Sequence, residues 1–199
     1  MTDTPLYEGD SQAWQAHLAV GNAIQPRKRV SADVLIRDHA GRILLVDPVY
    51  KPDWDTPGGM AEANEPPPHA ARRERGTGSS LVTASPPPHA ARRELREELG
   101  LDIQVGRLLV VDWVPPHGPW DDLLAFVFDG GELTGDQIAG ITLMDDELRA
   151  FDFCTPEQAR IRLRPYVWRR VATALDVLET GRAQYLQDGR IPGLTHEGS

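Results

Sequence analysis

The stretch 85–100, SPPPHAARRELREELG, constrains this chain most, because its pattern reads as a helix with chemically opposite faces. Ser85 can cap the helix, Pro86 suits its first turn, and Gly100 stops it. Ala91, Leu95 and Leu99 recur at i, i+4 and i+8, an apolar stripe that has to meet a core. Glu94, Glu97 and Glu98 stand at i, i+3 and i+4, pointing within roughly 100° of one another at ~3.6 residues per turn. Three like charges on one helical face destabilise it unless something neutralises them. Spacing alone leaves two answers open. One is a solvated acidic face with Arg92, Arg93 and Arg96 as partners. The other is a divalent cation, Mg2+ or Mn2+, since hard cations prefer carboxylate oxygens.

Around this helix the chain reads as strands first and helices last. VSADVLIRD (30–38) and RILLVD (42–47) are β-rich runs joined by a hairpin at His39-Ala40-Gly41. KPDWDTPGG (51–59) is a turn-rich loop ending in a Gly pair. Residues 103–114, 123–130 and 148–154 read as further strands, with a loop at 115–122. Thr155-Pro156-Glu157 has the cap-then-proline order of a helix start. Val167, Val171, Ala174 and Leu178 form a helical stripe that Gly181 ends. Residues 1–28 read as a polar N-terminal arm, with a short helix capped by Ser11 that carries Trp14, Leu18 and Ala19. Residues 182–199 read as a loosely held tail. The order implies a mixed α/β sandwich rather than regular βαβ alternation.

Composition narrows the class of partner. Of 199 residues, 21 are basic and 30 acidic, a net charge of −9. That excess repels a nucleic-acid backbone, so no nucleic-acid partner is expected. No apolar run reaches the ~20 residues of a membrane span, and the N-terminus lacks the order of a signal peptide. The single cysteine, Cys154, fits a reducing, cytoplasmic compartment and excludes a multi-thiolate zinc site.

PPPHAARRE occurs twice, at 66–74 and 86–94. The first copy runs into RGTGSSLVTAS, which is loop-like, and the second into LREELGL, which is helical. One period is too few for a repeat architecture, so residues 66–85 read as a local duplication or insertion. With those residues removed, the chain reads GGMAEANEPPPHAARRELREELGL. This resembles the box of the Nudix family, G-x5-E-x7-R-E-U-x-E-E-x-G-U with U aliphatic. Gly59, Glu65, Arg93, Glu94, Leu95, Glu97, Glu98, Gly100 and Leu101 meet every defined position. The departure is spacing, because 27 residues rather than seven separate Glu65 from Arg93. The first copy cannot substitute, since Thr77 and Gly78 stand where glutamates are needed. Loop closure costs grow slowly with length, so such a bulge need not unfold the protein.

The resemblance implies a Nudix-like α/β/α sandwich with a mixed β-sheet over residues 29–181. It implies a Mg2+- or Mn2+-dependent pyrophosphatase that cleaves a diphosphate linkage in a nucleoside diphosphate-linked compound. Glu94, Glu97 and Glu98 would be metal ligands with the Gly58 carbonyl, and Arg93 would orient the carboxylates by pairing with Glu65. Glu147 is the candidate general base, with Asp145 and Asp146 as rivals. Trp54 and Trp120 are candidates for stacking on a base. His89 and His117 read as helix-start and loop residues. Two other outcomes are carried forward. One is a Nudix-fold binding or regulatory module disabled by the insertion. The other is a Nudix-fold isomerase of isoprenyl diphosphates, which needs a cysteine near the metal. The substrate would be a small phosphorylated nucleotide-type compound: a nucleoside triphosphate, nucleotide sugar, ADP-ribose or dinucleotide. A homodimer is compatible with the sequence.

Overall fold

The computed structural model describes residues 11–62, 90–144 and 146–193, and for Ala90 and Arg93 the backbone alone. Glu65, the inserted segment, His89 and Asp145 lie outside the described residues.

A seven-stranded mixed sheet organises the chain. Its strands are β1 (Arg29–Arg37), β2 (Ile43–Pro48), β3 (Gly58–Met60), β4 (Leu108–Val114), β5 (Leu123–Glu132), β6 (Leu148–Cys154) and β7 (Gln184–Gln187). The order is β6-β2-β1-β5-β4-β7, with β3 paired to β1. β1 runs parallel to β5, and β4 parallel to β7; the remaining pairs are antiparallel.

β1 is the central element, and its alternation divides the molecule into two cores. Ala32, Val34 and Ile36 face one side with Leu44 and Val46 of β2. Leu35 faces the other with Ile43 and Leu45. A period of two sends successive side chains to opposite faces, so both layers are fed from the same strands. The first core is covered by helix α2 (Ala90–Leu99), whose Ala91, Leu95 and Leu99 are fully buried, as the stripe requires. The second is covered by α4 (Pro156–Arg162) and α5 (Pro165–Thr180), with Val167, Val171 and Ala174 buried. The architecture is therefore the α/β/α sandwich with a mixed sheet.

Local signals explain most boundaries. Asp38 accepts from the backbone N–H groups of Ala40 and Arg42 and from the Arg42 side chain, fixing the β1–β2 turn. Gly41 takes the left-handed conformation that this turn needs (φ 74°). Thr155 caps α4 in a full capping box with Gln158, and Gly181 closes α5 at φ 79°.

Four elements differ from the sequence reading. The strand expected over 103–114 starts only at Leu108; Ile103 and Val105 are buried in the first core without strand pairing. Their β-branched character reports burial, not pairing. Residues 184–187, read as tail, form β7 in parallel register with β4. A further short helix, α3 (Gly135–Ala139), starts at a Thr134–Gln137 capping box. The N-terminal helix α1 (Ser11–Ile24) has 14 residues, none buried, and Ser11 is its first helical residue rather than a cap outside it.

Candidate functional site

The site forms where the sheet opens beside β1. The first half of β1 pairs with β3, with Ser31 opposite Met60 and Asp33 opposite Gly58. Its far end meets β2 only at Arg37 and Ile43. A cleft of about 620 Å3 lies beside this edge of β1, lined by residues of both neighbours. Glu94, Glu97 and Glu98 of α2 line it, together with Gly58, Glu147 and Trp120. Positions separated by tens of residues in the chain thus share one concavity.

The α2 wall rests on the apolar stripe beneath it. With Leu95 and Leu99 locked in the core, the helix cannot rotate, and the glutamates stay turned to the cleft. Glu98 is nearly buried (8% exposed), whereas Glu97 is exposed. The Gly pair brings β3 close on both sides. A Cβ at Gly58 would come within 2.3 Å of the Ala32 carbonyl oxygen. A Cβ at Gly59 would lie 2.4 Å from Cδ of Glu94. The Glu94 carboxylate therefore occupies space that only glycine leaves open. Arg92 and Arg96 of this helix both reach Asp102.

Among the described residues, no three His, Cys, Asp or Glu side chains already converge at metal-ligand spacing. The donor types nonetheless suit a hard cation. Three carboxylates share one helix face, and one of them is packed against glycine backbone.

The facing wall is made by β1, β4 and α5. Arg29, Ser31 and Asp33 alternate on β1, so all three reach the cleft side. Asp33 accepts from Nη1 of Arg170 at 3.4 Å, and Asp112 accepts from its Nε at 3.0 Å. Asp112, fully buried, also accepts from the Gly189 backbone N–H. Burial pushes the Asp33 carboxyl up to about 7; Arg170 and Lys51 pull it down and Asp55 pushes it further up. Nη2 of Arg170 is buried and has no hydrogen-bond partner among the described residues. A buried donor left in that state costs about 1–3 kcal/mol. Lys51 pairs with Asp55, and Arg164 with Asp53 at 2.7 Å. Trp120, half exposed, lies under the Arg29 guanidinium at 4.5 Å from the ring centroid. The α5 residues and Asp33 were not legible as site residues. The one sequence signal was the polar alternation Arg29, Ser31, Asp33 inside an otherwise apolar strand.

Other expected residues fall elsewhere. Trp54 does not line the cleft; it packs on the second core, with Arg162 stacked 4.4 Å over its ring. One contact of the indole is therefore already made by Arg162, and Trp54 stands outside the residues that line the cleft. His117 lines the cleft, with Nδ1 3.2 Å from the Pro115 carbonyl. Cys154 is fully buried in the second core and does not line the cleft, against the need of an isomerase for a cysteine there. Burial raises its thiol, with Arg162 opposing. Asp146 is exposed in the turn before Glu147.

The family model described as NUDIX domain matches residues 27–75 and 85–175, well over half of the chain. The chain belongs to the Nudix family. The break in the match, between 75 and 85, falls between the two copies of PPPHAARRE. No curated protein matches this Nudix sequence. Among solved structures, it resembles a MutT protein from Methanosarcina mazei Go1 (TM-score 0.55, 19% identity, 80% of this chain and 99% of that one). It also resembles a UDP-X diphosphatase (0.58, 20%, 88% and 75%). A third is an Ap4A hydrolase from C. elegans (0.51, 17%, 77% and 99%). At these identities the likeness establishes the shared Nudix fold. No helix among the described residues is long and apolar enough to cross a membrane.

Proposed function

We propose that this Nudix protein is a Mg2+- or Mn2+-dependent pyrophosphatase that hydrolyses the diphosphate linkage of a nucleoside diphosphate-linked compound. The observation that carries the reading is the meeting of Glu94, Glu97, Glu98 and Glu147 in one cleft with an aromatic and hydrogen-bonding wall. Glu94, Glu97 and Glu98, with the Gly58 carbonyl, would hold the cation. When bound, it neutralises phosphate charge and lowers the pKa of a water. Arg93, paired with Glu65, would orient the carboxylates. Glu147 would take the proton of the attacking water at its carboxylate, as the water oxygen bonds to phosphorus and the bridging P–O bond breaks. Trp120 offers a face for a base. The resembling structures carry names from UDP-X diphosphatase to Ap4A hydrolase, so the substrate class stays broad: nucleoside triphosphates, nucleotide sugars, ADP-ribose or dinucleotides.

The test is incubation with Mg2+ and a panel of these compounds, following release of nucleotide or phosphate. Turnover of at least one compound is expected, and Glu97→Gln should lower kcat by roughly 100-fold or more without unfolding the protein. Unchanged turnover in that variant sinks the metal assignment. The interruption of the family match favours a second reading, a binding or regulatory module. It prevails if the full chain turns over nothing while a variant lacking residues 66–85 is active.

A further inference from the structure

Arg170 is a residue with capacity to spare. Its side chain is only 6% exposed, yet it lies on the wall of the cleft. Two of its nitrogens are bound to Asp112 and Asp33, and Nη2 has no partner among the described residues. Buried N–H groups in folded proteins are almost always bonded, so an orphan beside a cleft points to a ligand acceptor. Asp33, next to it and also lining the cleft, is an acceptor. Together they set a donor, buried in the cleft wall, beside an acceptor.

We infer that Arg170 and Asp33 form a specificity subsite for the neutral head of the substrate, resting on the pyrophosphatase reading above for what lies across the cleft. Charge decides against an anion here. Arg170 is shared between two carboxylates, and neighbouring Lys51 and Arg164 each have their own. Around Arg170 the carboxylates at least match the cations, so a phosphate gains little there; Arg29, also on this wall, lies over Trp120. A neutral group with an acceptor next to a donor fills both positions. Two parts of a nucleotide compound have that chemistry: a base edge and a pair of sugar hydroxyls. A site built to bond such a group rejects analogues that leave its buried donor unmet.

Two measurements on the full chain test this. The first compares kcat/KM with Mg2+ across nucleoside diphosphate glucoses that differ only in base, and across UDP sugars that differ only in sugar. The second measures calorimetric binding of UMP, AMP, GMP, CMP and glucose 1-phosphate in EDTA. Wild type should separate members of one series by roughly 10-fold or more. Arg170→Lys, which keeps the cation and removes the fork, should compress that series to roughly 2-fold while leaving the other intact. Compression of the base series assigns the subsite to the base, and compression of the sugar series to the sugar. If Arg170→Lys fails to fold by circular dichroism, Asp33→Asn replaces it in the same measurements with the same expectation. Preferences unchanged by the variant in both measurements overturn the inference, as does the absence of any preference in wild type. If nothing is hydrolysed but nucleotide binding shows an Arg170-dependent preference, the pyrophosphatase reading fails and the subsite stands.

Discussion

The α2 wall of the cleft draws its three carboxylates from within five residues of sequence, whereas the facing wall joins Asp33, Asp112 and Arg170 across as many as 137. The first is a local device: once the helix forms, the glutamates share a face. The second exists only after β1, β4 and α5 have packed. The charges differ as sharply. The cleft face of the helix gathers three carboxylates, the donor type a hard cation prefers. The facing wall balances cation against carboxylate within the protein, which suits a permanent structural element with one donor left over. Removing the exposed Glu97 charge from the first wall should therefore spare the fold, while removing Asp112 from the second should not.

The facing wall depends most on Asp112. Asp112→Ala removes the closer carboxylate of a buried arginine and the acceptor of the Gly189 N–H. Deleting one member of a buried pair costs about 3–5 kcal/mol, since the remaining charge is left uncompensated. Urea denaturation should therefore show a large drop in midpoint with m unchanged. Glu97→Gln should show almost none. Equal losses in the two variants would mean that the walls do not differ in the way argued.

Asp33 gives a smaller effect with a definite sign. Its folded pKa is raised from 3.8 to about 7, first by burial. Between those values the unfolded chain has released the proton and the folded one retains it. Stability therefore falls as pH rises through this window, and is level above it. The slope is on the order of 1 kcal/mol per pH unit. Asp33→Asn cannot ionise, so its stability should lack that decline. Parallel pH profiles for the two proteins, measured by thermal unfolding from pH 4 to 8, would contradict it.

What the sequence disclosed follows the same divide. The α2 stripe, the Thr155 start of α4 and the Val167–Val171–Ala174 face of α5 are all patterns within one element, and all are present as expected. Arg170 sits between two stripe residues and gives no local sign that it crosses to β1 and β4. Trp54 looked like a loop aromatic free to stack; its partner Arg162 lies over a hundred residues away. The four-residue β7 is too short to show a period, and only the neighbouring β4 makes it a strand. Legibility ended where contacts became long-range.

The Gly pair gives the smallest effect and separates fold from site within two adjacent residues. Gly58 is at φ 141°, and a Cβ there meets the backbone of Ala32 and Asp33, neither of which can yield. Gly58→Ala should strain β3 and lower stability. At Gly59 no left-handed backbone is needed, and the colliding atoms are the far end of the Glu94 side chain. That side chain can move. Gly59→Ala should therefore shift stability by less than about 1 kcal/mol. The displaced carboxylate is nevertheless one of the three on the α2 wall, and misplacing a site group by an ångström costs roughly 10- to 100-fold in rate. The expected signature is a near-native melting temperature with a reduced kcat and a weaker apparent affinity for Mn2+ in titration. A Gly59→Ala protein with wild-type kcat and Mn2+ affinity would show that Glu94 needs no fixed place against β3. The α2 wall would then be organised by Glu97 and Glu98 alone.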